Sequence, residues 1–162
     1  MSKNFMIALG AGAVCIAIAV GAILFIQRGA HIGVSGHILK VRTAPLNENS
    51  TIVVLDFRVT NPADYPFVAR SVTAIFEDAA GNRTEGLTAP EIEAQHIFAG
   101  IPVLGEKYNQ TMIIRDKVNP RSTLDRMVAA RFDLPEAQLQ GRKRFVVKIE
   151  EIDGQEFEIS EK

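Results

Sequence analysis

The chain has 162 residues, with 18 basic and 19 acidic side chains and a formal net charge of −1 at pH 7. All the acids lie beyond residue 28 together with 16 of the basic residues, so this larger part carries a charge of −3. Such a mild balance argues against nucleic acid as a partner. The single cysteine, Cys15, excludes an intrachain disulfide, and its apolar surroundings exclude an aqueous thiolate nucleophile.

Residues 5–26 form an unbroken apolar run from Phe5 to Ile26, without charge or proline. As a helix rising ~1.5 Å per residue, the run spans roughly 33 Å, enough for the ~30 Å hydrocarbon core of a bilayer. We therefore predict a tail at residues 1–4, a transmembrane helix at 5–26, a tether at 27–36 and one folded domain at 37–162. A cleaved signal peptide is the alternative, but Arg28 stands where a site at Ala30 needs a small residue.

Basic residues on both sides of the run leave its orientation undecided. A four-residue tail leading directly into an apolar segment is typical of a signal anchor. We therefore predict a single-pass protein with a cytoplasmic N-terminus and a periplasmic or otherwise extracytoplasmic domain. Within the run, Ala13, Ala17 and Gly21 recur every four residues, a small-residue stripe through which two helices could self-associate.

Beyond the tether the apolar residues recur with a period of two, which is typical of half-buried β-strands. Asp153 and Gly154 separate the last two strands and favour a type I′ hairpin turn. The predicted strands, with the residues expected to share one face, are His37 to Thr43; Val53, Leu55, Phe57 and Val59; Val68, Val72, Ala74 and Phe76; a short piece at Arg83 to Leu87; Tyr108, Gln110, Met112 and Ile114; Val128, Ala130, Phe132 and Leu134; Phe145, Val147 and Ile149; and Gln155 to Ser160.

Two short helices interrupt the predicted strands. Thr88 to Glu91 has the spacing of a capping box, before a helix that Gly100 can end, and Asp133 to Glu136 repeats the arrangement before Gly141. Seven or eight strands joined by local turns predict an all-β domain. We expect an immunoglobulin- or fibronectin-like antiparallel β-sandwich of about seven strands with one or two short helices.

Two surface features are candidate binding sites. The densest turn signal follows the clearest strand and predicts an interaction loop at one end of the sandwich, formed by Asn61, Pro62, Asp64, Tyr65 and Pro66. The second feature is a basic patch, Arg142, Lys143 and Arg144, which could meet an acidic partner. The acids of the C-terminal strands offer the alternative that these cations are neutralised by cross-strand pairing.

Metal and catalytic motifs are weak or absent in the sequence. Glu93 and His96 have helical metal-ligand spacing, but one such pair is half a site, so a solvated helix face is the preferred interpretation. There is no nucleophile elbow, phosphate loop or zinc-protease motif. We therefore expect no enzyme activity, no cofactor and no metal, and an anchored hydrolase with a dispersed triad is kept only as a third hypothesis.

The stretch from Val53 to Pro62, followed by Tyr65, Pro66 and another alternating strand, resembles the water-stress domain of type 2 late-embryogenesis-abundant proteins. That resemblance covers Leu39 to Phe76, and the helix predicted at Glu91 to Phe98 departs from it. It implies a seven-stranded sandwich, often behind a single membrane anchor, with no assigned enzyme activity.

The first functional hypothesis is a membrane-anchored, non-enzymatic sandwich at the cell envelope that binds a protein partner through end loops or an exposed sheet edge. The lipid bilayer is the expected partner of residues 5–26. The second hypothesis, implied by the resemblance, is a stress-protective or chaperone-like domain.

Overall fold

The computed structural model describes residues 12–22 and 33–161. The chain divides into two compact units, Met1–Ile32 and Gly33–Lys162. Residues 12–22 form helix α1; the remainder of the predicted transmembrane helix, residues 5–11 and 23–26, lies outside the described residues. Among residues 12–22 and 33–161, no helix combines the length and the apolar character needed to span a membrane.

The second unit consists of strands and three short helical elements. In chain order they are β1 (Ser35–Asn47), β2 (Ser50–Asn61), β3 (Phe67–Glu77), β4 (Arg83–Glu85), β5 (Leu87–Thr88), α2 (Glu91–Gly100), a 3₁₀ turn (Pro102–Leu104), β6 (Lys117–Val118), β7 (Ser122–Phe132), α3 (Glu136–Gln140), β8 (Arg144–Glu151) and β9 (Glu156–Ser160).

The strands form two antiparallel sheets. The first sheet has the order β1-β2-β7-β5, and the second has the order β4-β3-β8-β9, with β6 also paired to β3. The nine strands of the described residues and the two sheets confirm the predicted all-β, antiparallel architecture, with two short β strands more than the seven expected.

The core lies between the two sheets. The inward rows of β2, β7 and β8 were predicted from their period-two pattern and are confirmed. Phe132 packs against Phe145, and Phe145 packs against Phe76, with ring centroids 6.0 Å apart in each pair. Fully burying one such side chain contributes roughly 1.5–3 kcal/mol. The inward residues are Val53, Leu55, Phe57, Val59, Val128, Ala130, Phe132, Phe145, Val147 and Ile149.

The predicted inward face of β3 is wrong at its start. A register shift between Ala69 and Ser71 marks a β-bulge in the pairing with β8. A bulge adds one residue and so reverses which face the following side chains occupy. Phe67 and Ala69 therefore point into the core before the bulge, whereas Val68, predicted to be inward, is only partly buried outside that cluster.

The strand predicted at Tyr108 to Ile114 is also wrong. The described structure has only one isolated bridge there, between Thr111 and Met127, and it is parallel. Met112 reaches the core, but Tyr108 and Ile114 are exposed. The alternation of apolar residues in this stretch corresponds to a single contact with the edge of β7 at Thr111, without a continuous ladder of strand hydrogen bonds.

The β8–β9 turn and the N-caps of the two helices differ from their predictions, although the hairpin and the helices themselves are present. Gly154 has φ 92° and Asp153 does not share a positive φ, so the β8–β9 hairpin lacks a type I′ turn. Helices α2 and α3 begin after Pro90 and Pro135, and neither has a side-chain capping bond. The Thr88 hydroxyl donates instead to the carbonyl of Val72. In both helices a proline occupies the N-cap position, and the predicted capping box does not form.

The piece predicted at Arg83 to Leu87 is divided between the two sheets. β4 pairs with β3 in the second sheet, and β5 pairs with β7 in the first. Gly86 lies at the crossing, where a Cβ would stand 2.7 and 2.8 Å from two ring carbons of Phe132. Glycine is required there because the chain passes directly over a packed core ring.

We expect Gly86→Ala to lower the free energy of unfolding by about 1–3 kcal/mol, since the added methyl overlaps a ring that is itself held by the core. Gly100→Ala is the matched control: a Cβ at this last residue of α2 meets nothing within 4 Å. Urea unfolding of the full-length chain measures both. Equal midpoints for the two variants would show that the close approach at Phe132 is not a constraint.

Candidate functional site

The outer face of the first sheet is covered by the chain that links β5 to β7. Ile52, Val54, Met127 and Ala129 on this face form a second buried cluster with Ala94 of α2. Leu104 of the 3₁₀ turn belongs to the same cluster. We refer to residues 91–111 as the covering segment. It buries only part of this face, since Arg58 and Asp125 further along the same face stay partly exposed.

A buried cation holds the covering segment against β1 and β2. Arg42 donates from Nη2 to Asp56 Oδ2 at 2.7 Å, and both side chains are less than a tenth exposed. Its Nη1 donates to the carbonyls of Leu104 at 2.8 Å and Glu106 at 2.7 Å. Asn109 donates to the other Asp56 oxygen at 2.9 Å. One ion pair thus binds three points of the segment.

Aromatic rings enclose the same guanidinium. The Arg42 Cζ lies 4.9 Å from the ring centroid of Phe98 and 5.5 Å from that of Tyr108. Such contacts stabilise a cation where water is scarce. The Arg42 Nε has no hydrogen-bond partner within the described residues. We refer to the Arg42–Asp56 ion pair and its bonds to the covering segment as the clamp. On the Arg42 side, the hydrogen bonds of the clamp come from the two terminal nitrogens, Nη1 and Nη2.

Glu91 ties the two ends of the covering segment together. Its carboxylate accepts hydrogen bonds from Lys107 Nζ at 2.7 Å and from the main-chain amide of Thr111 at 3.0 Å. Gln95 donates a third bond. Partial burial, the largest single influence, acts to raise the pKa of Glu91, but these bonds together lower it to about 2.

Next to this tie lies an apolar groove of about 480 Å³. One wall is β3, and the opposite walls are the residues that enter and leave the covering segment. Ile113 and Ile114 are 51% and 70% exposed, whereas the neighbouring Met112 is buried. The groove is lined by Ser71, Val72, Thr88, Ala89, Pro90, Thr111, Met112, Ile113 and Ile114.

The β3 wall of the groove is an open sheet edge. β6 pairs with the start of β3 and β4 with its end, so residues 70–73 have no strand partner on this side among the described residues. The edge closes on each flank: the amide of Arg115 donates to the carbonyl of Ala69 at 2.7 Å, and that of Gly86 to Ala74 at 2.9 Å. An unpaired edge is a template for another extended chain.

Polar groups at the groove are few. Thr111 is buried, and its Oγ1 lacks a hydrogen-bond partner within the described part of the chain. At the Ala69 end, Arg115 and Lys117 are exposed. The intervening Asp116 is already engaged with Arg126 at 2.7 Å. This end of the groove is therefore basic.

The predicted interaction loop is organised from within by Asn61. This residue is buried, and its Nδ2 donates to the carbonyls of Tyr65 at 2.8 Å and Val118 at 3.0 Å. Its Oδ1 accepts the amide of Ala63 at 3.0 Å. Asp64 pairs with Arg121 at the surface. Pro62, Tyr65 and Pro66 are exposed, so a binding role for the loop stays a prediction.

The cations of the predicted basic patch each have an acidic partner. Lys143 and Arg144 contact the buried carboxylate of Glu77 at 2.8 and 2.9 Å, and Arg142 makes a double hydrogen bond with Glu161. Hydrogen bonds from Lys143 and then Arg144 lower the pKa of Glu77 to about 2. Only the contact between Arg142 and Glu161 uses an acid of the C-terminal strands, as the alternative for this patch expects; Lys143 and Arg144 pair instead with Glu77 of β3.

The remaining candidate from the sequence is the metal-ligand pair Glu93 and His96. Glu93 lies beside an apolar recess near Leu46 and Ile97. No group of three or more histidine, cysteine, aspartate or glutamate side chains suited to a metal ion occurs in residues 12–22 and 33–161. Sequence reasoning did not find the groove, because it requires the irregular path of residues 111–114. The apolar pair Ile113 and Ile114, which breaks the alternation, was the available signal.

No protein-family model matches the sequence, and no curated protein matches it significantly. Two solved structures are similar. One is an X-ray structure of a Northeast Structural Genomics Consortium target, with 13% identity, TM-score 0.33 and 80% of each chain covered. The other is an uncharacterised β-sandwich protein from Clostridium difficile 630, with 14% identity, TM-score 0.30 and 82% of each chain covered.

We expect Glu91→Gln to destabilise the protein at pH 7, with the deficit disappearing in acid. The folded-state pKa of about 2 lies below the ordinary value of 4.5, so the stabilisation is present above pH 4.5 and is lost as the pH falls towards 2. Urea unfolding at several pH values measures the difference. Glu93→Gln, two residues along the same helix and exposed, should show no such convergence; equal behaviour of the two variants would contradict the tie.

Proposed function

We propose that this chain is a non-enzymatic binding module held at the cell envelope, and that its apolar groove receives a protein partner. The observation that carries this proposal is the open edge at residues 70–73 beside exposed Ile113 and Ile114. An apolar recess bordered by unpaired main-chain groups suits recognition of another polypeptide.

Two other surfaces of the domain are partly covered or carry paired charges. The covering segment buries the part of the first sheet's outer face around Val54 and Met127, although Ile92 and Val103 of the segment are themselves exposed. The outer face of the second sheet carries ion pairs between neighbouring strands: Glu77 with Arg144, Arg83 with Glu158, and Lys148 with Glu85. Paired and hydrated charges offer little area for apolar contact. The groove is favoured because it combines exposed apolar side chains with the open edge of β3.

The strand order supports the finer structural class that the proposal assumes. With β6 set aside, β1-β2-β7-β5 corresponds to the A-B-E-D sheet of immunoglobulin-like domains, and β4-β3-β8-β9 corresponds to C′-C-F-G. The same order agrees with the resemblance to type 2 late-embryogenesis-abundant domains. The second candidate function, a stress-protective or chaperone-like domain, follows from that resemblance.

The membrane anchor is part of the proposal. Apolar side chains in α1, among them Val14, Ile16 and Ile18, are more than half exposed, and such a helix is stabilised by lipid. We propose that residues 5–26 cross the bilayer with the N-terminus cytoplasmic and the domain extracytoplasmic. Ala13, Ala17 and Gly21 lie within α1, and helix self-association through them is a further prediction of the anchor.

Site-specific photo-crosslinking in intact cells tests the proposal. A photoreactive amino acid at position 114 of the full-length chain should give one discrete protein adduct, because Ile114 borders the groove. The adduct should remain in membranes washed with alkaline carbonate, as an integral anchor requires. The same amino acid at position 152 is the matched control, since Ile152 is 61% exposed and does not line the groove.

Equal adducts from both positions, or none from position 114, would contradict the groove as the binding surface. Release of the unmodified chain by carbonate would contradict the anchor. Suppression of aggregation of an unrelated client, together with no adduct at position 114, would favour the stress-protective function instead.

A further inference from the structure

Given the proposed function of the groove, we infer the kind of partner segment that it accepts. The segment is an extended polypeptide that pairs with the open edge of β3, places alternate apolar side chains in the groove, and directs a carboxylate to the basic end. Residues 70–73 offer an edge of roughly 13 Å at ~3.3 Å per residue, the length of a short strand.

The main chain of Val72 carries the pairing argument. Its carbonyl points to the open edge, where it accepts the Thr88 hydroxyl at 3.2 Å. In antiparallel pairing a residue directs its N–H and C=O to the same neighbour, so the amide of Val72 faces the groove as well. An added strand supplies an acceptor for this amide; an acyl chain or another purely apolar ligand leaves it unpaired. The edge therefore favours a polypeptide over a lipid.

The side chains around the edge define what the added strand carries. Successive side chains of a strand point to opposite faces, so one face would meet Val72, Met112 and Ile114 while the other meets solvent. Alternating apolar and polar residues fit both faces.

The charge at the Ala69 end of the groove determines the direction in which the partner segment binds. Arg115 and Lys117 are exposed there, and no acidic partner of either occurs among the described residues. Neighbouring cations are different: Arg126 is neutralised by Asp116, and Arg70 contacts Glu150 at 3.2 Å. A carboxylate, from a C-terminus or an acidic side chain, therefore meets uncompensated positive charge at this end and not elsewhere in the groove.

The test uses a fluorescent hexapeptide that alternates threonine and valine and ends in a free carboxylate. Fluorescence anisotropy measures its affinity for the full-length chain in lipid nanodiscs. Methylating alternate amide nitrogens of the peptide keeps its side chains but blocks strand pairing at Val72, and should weaken binding about three- to tenfold, as loss of one or two main-chain bonds implies. Ile114→Asp should weaken binding to a similar extent, whereas Ile152→Asp should leave the affinity within about twofold.

The carboxylate has its own readout. Replacing it with an amide should weaken binding severalfold in the wild-type chain and should have no effect in a variant that carries both Arg115→Gln and Lys117→Gln, because the complementary charge is then missing. Equal losses in both chains would overturn the assigned direction. Equal affinity for the methylated and unmethylated peptides, or no binding of either, would overturn strand addition.

These outcomes separate the two proposals. A position-114 adduct in cells without any dependence on peptide amides leaves the groove as a binding surface and rejects the extended-strand partner. If neither the position-114 adduct nor the dependence on peptide amides is observed, both the groove as a binding surface and the extended-strand partner are rejected. A position-114 adduct that consists of a second copy of this chain would assign the groove to self-association and reject a distinct partner segment.

Discussion

The ion pair between Arg42 and Asp56 is the interaction on which the arrangement of this domain depends. Two antiparallel sheets enclose a core, but the first sheet also needs cover for its outer face. The covering segment supplies it, and Arg42 holds that segment through two of its carbonyls while Asp56 balances the charge. Breaking a buried pair by removing one partner typically costs about 3–5 kcal/mol, since the remaining charge is left without compensation.

The clamp determines the groove indirectly. The covering segment starts after Pro90 and ends at Thr111, and both of these residues line the groove. Glu91 joins the two ends through Lys107 and the Thr111 amide. Displacement of the segment would therefore move one wall of the groove relative to the edge of β3. The stability of the covering segment and the shape of the proposed binding surface therefore depend on the same contacts.

The sequence predicted those parts of the fold in which the apolar period was unbroken. β2, β7 and β8 each present a continuous inward row, so their strands and core faces follow from alternation alone. β3 shows the limit: its bulge after Ala69 reverses the phase, and a one-residue shift has no signature in composition. The two helices were predicted from capping-box spacings and following glycines; both helices are present, but neither has the predicted side-chain capping bond.

The groove could not be predicted for a similar reason. Residues 108–112 alternate as a strand does before Ile113 and Ile114 break the pattern, yet they make one parallel bridge because the covering segment brings them to the edge of β7 in that direction. Arg42 and Asp56 appeared as polar residues on ordinary strands, since their burial exists only when a segment some 50 residues later folds over them. Contacts of such sequence separation have no local pattern.

Amide hydrogen exchange on the full-length Asp56→Asn variant tests the central role of the clamp most directly. Loss of the carboxylate should accelerate exchange at Leu104, Gly105, Thr111 and Met112, whose amides are hydrogen-bonded within the segment or to its neighbours, well before exchange rises in β8. Asp125→Asn, which breaks a surface pair with Arg58, should leave this pattern unchanged. Uniform acceleration across both sheets, or none in residues 104–112, would contradict the account.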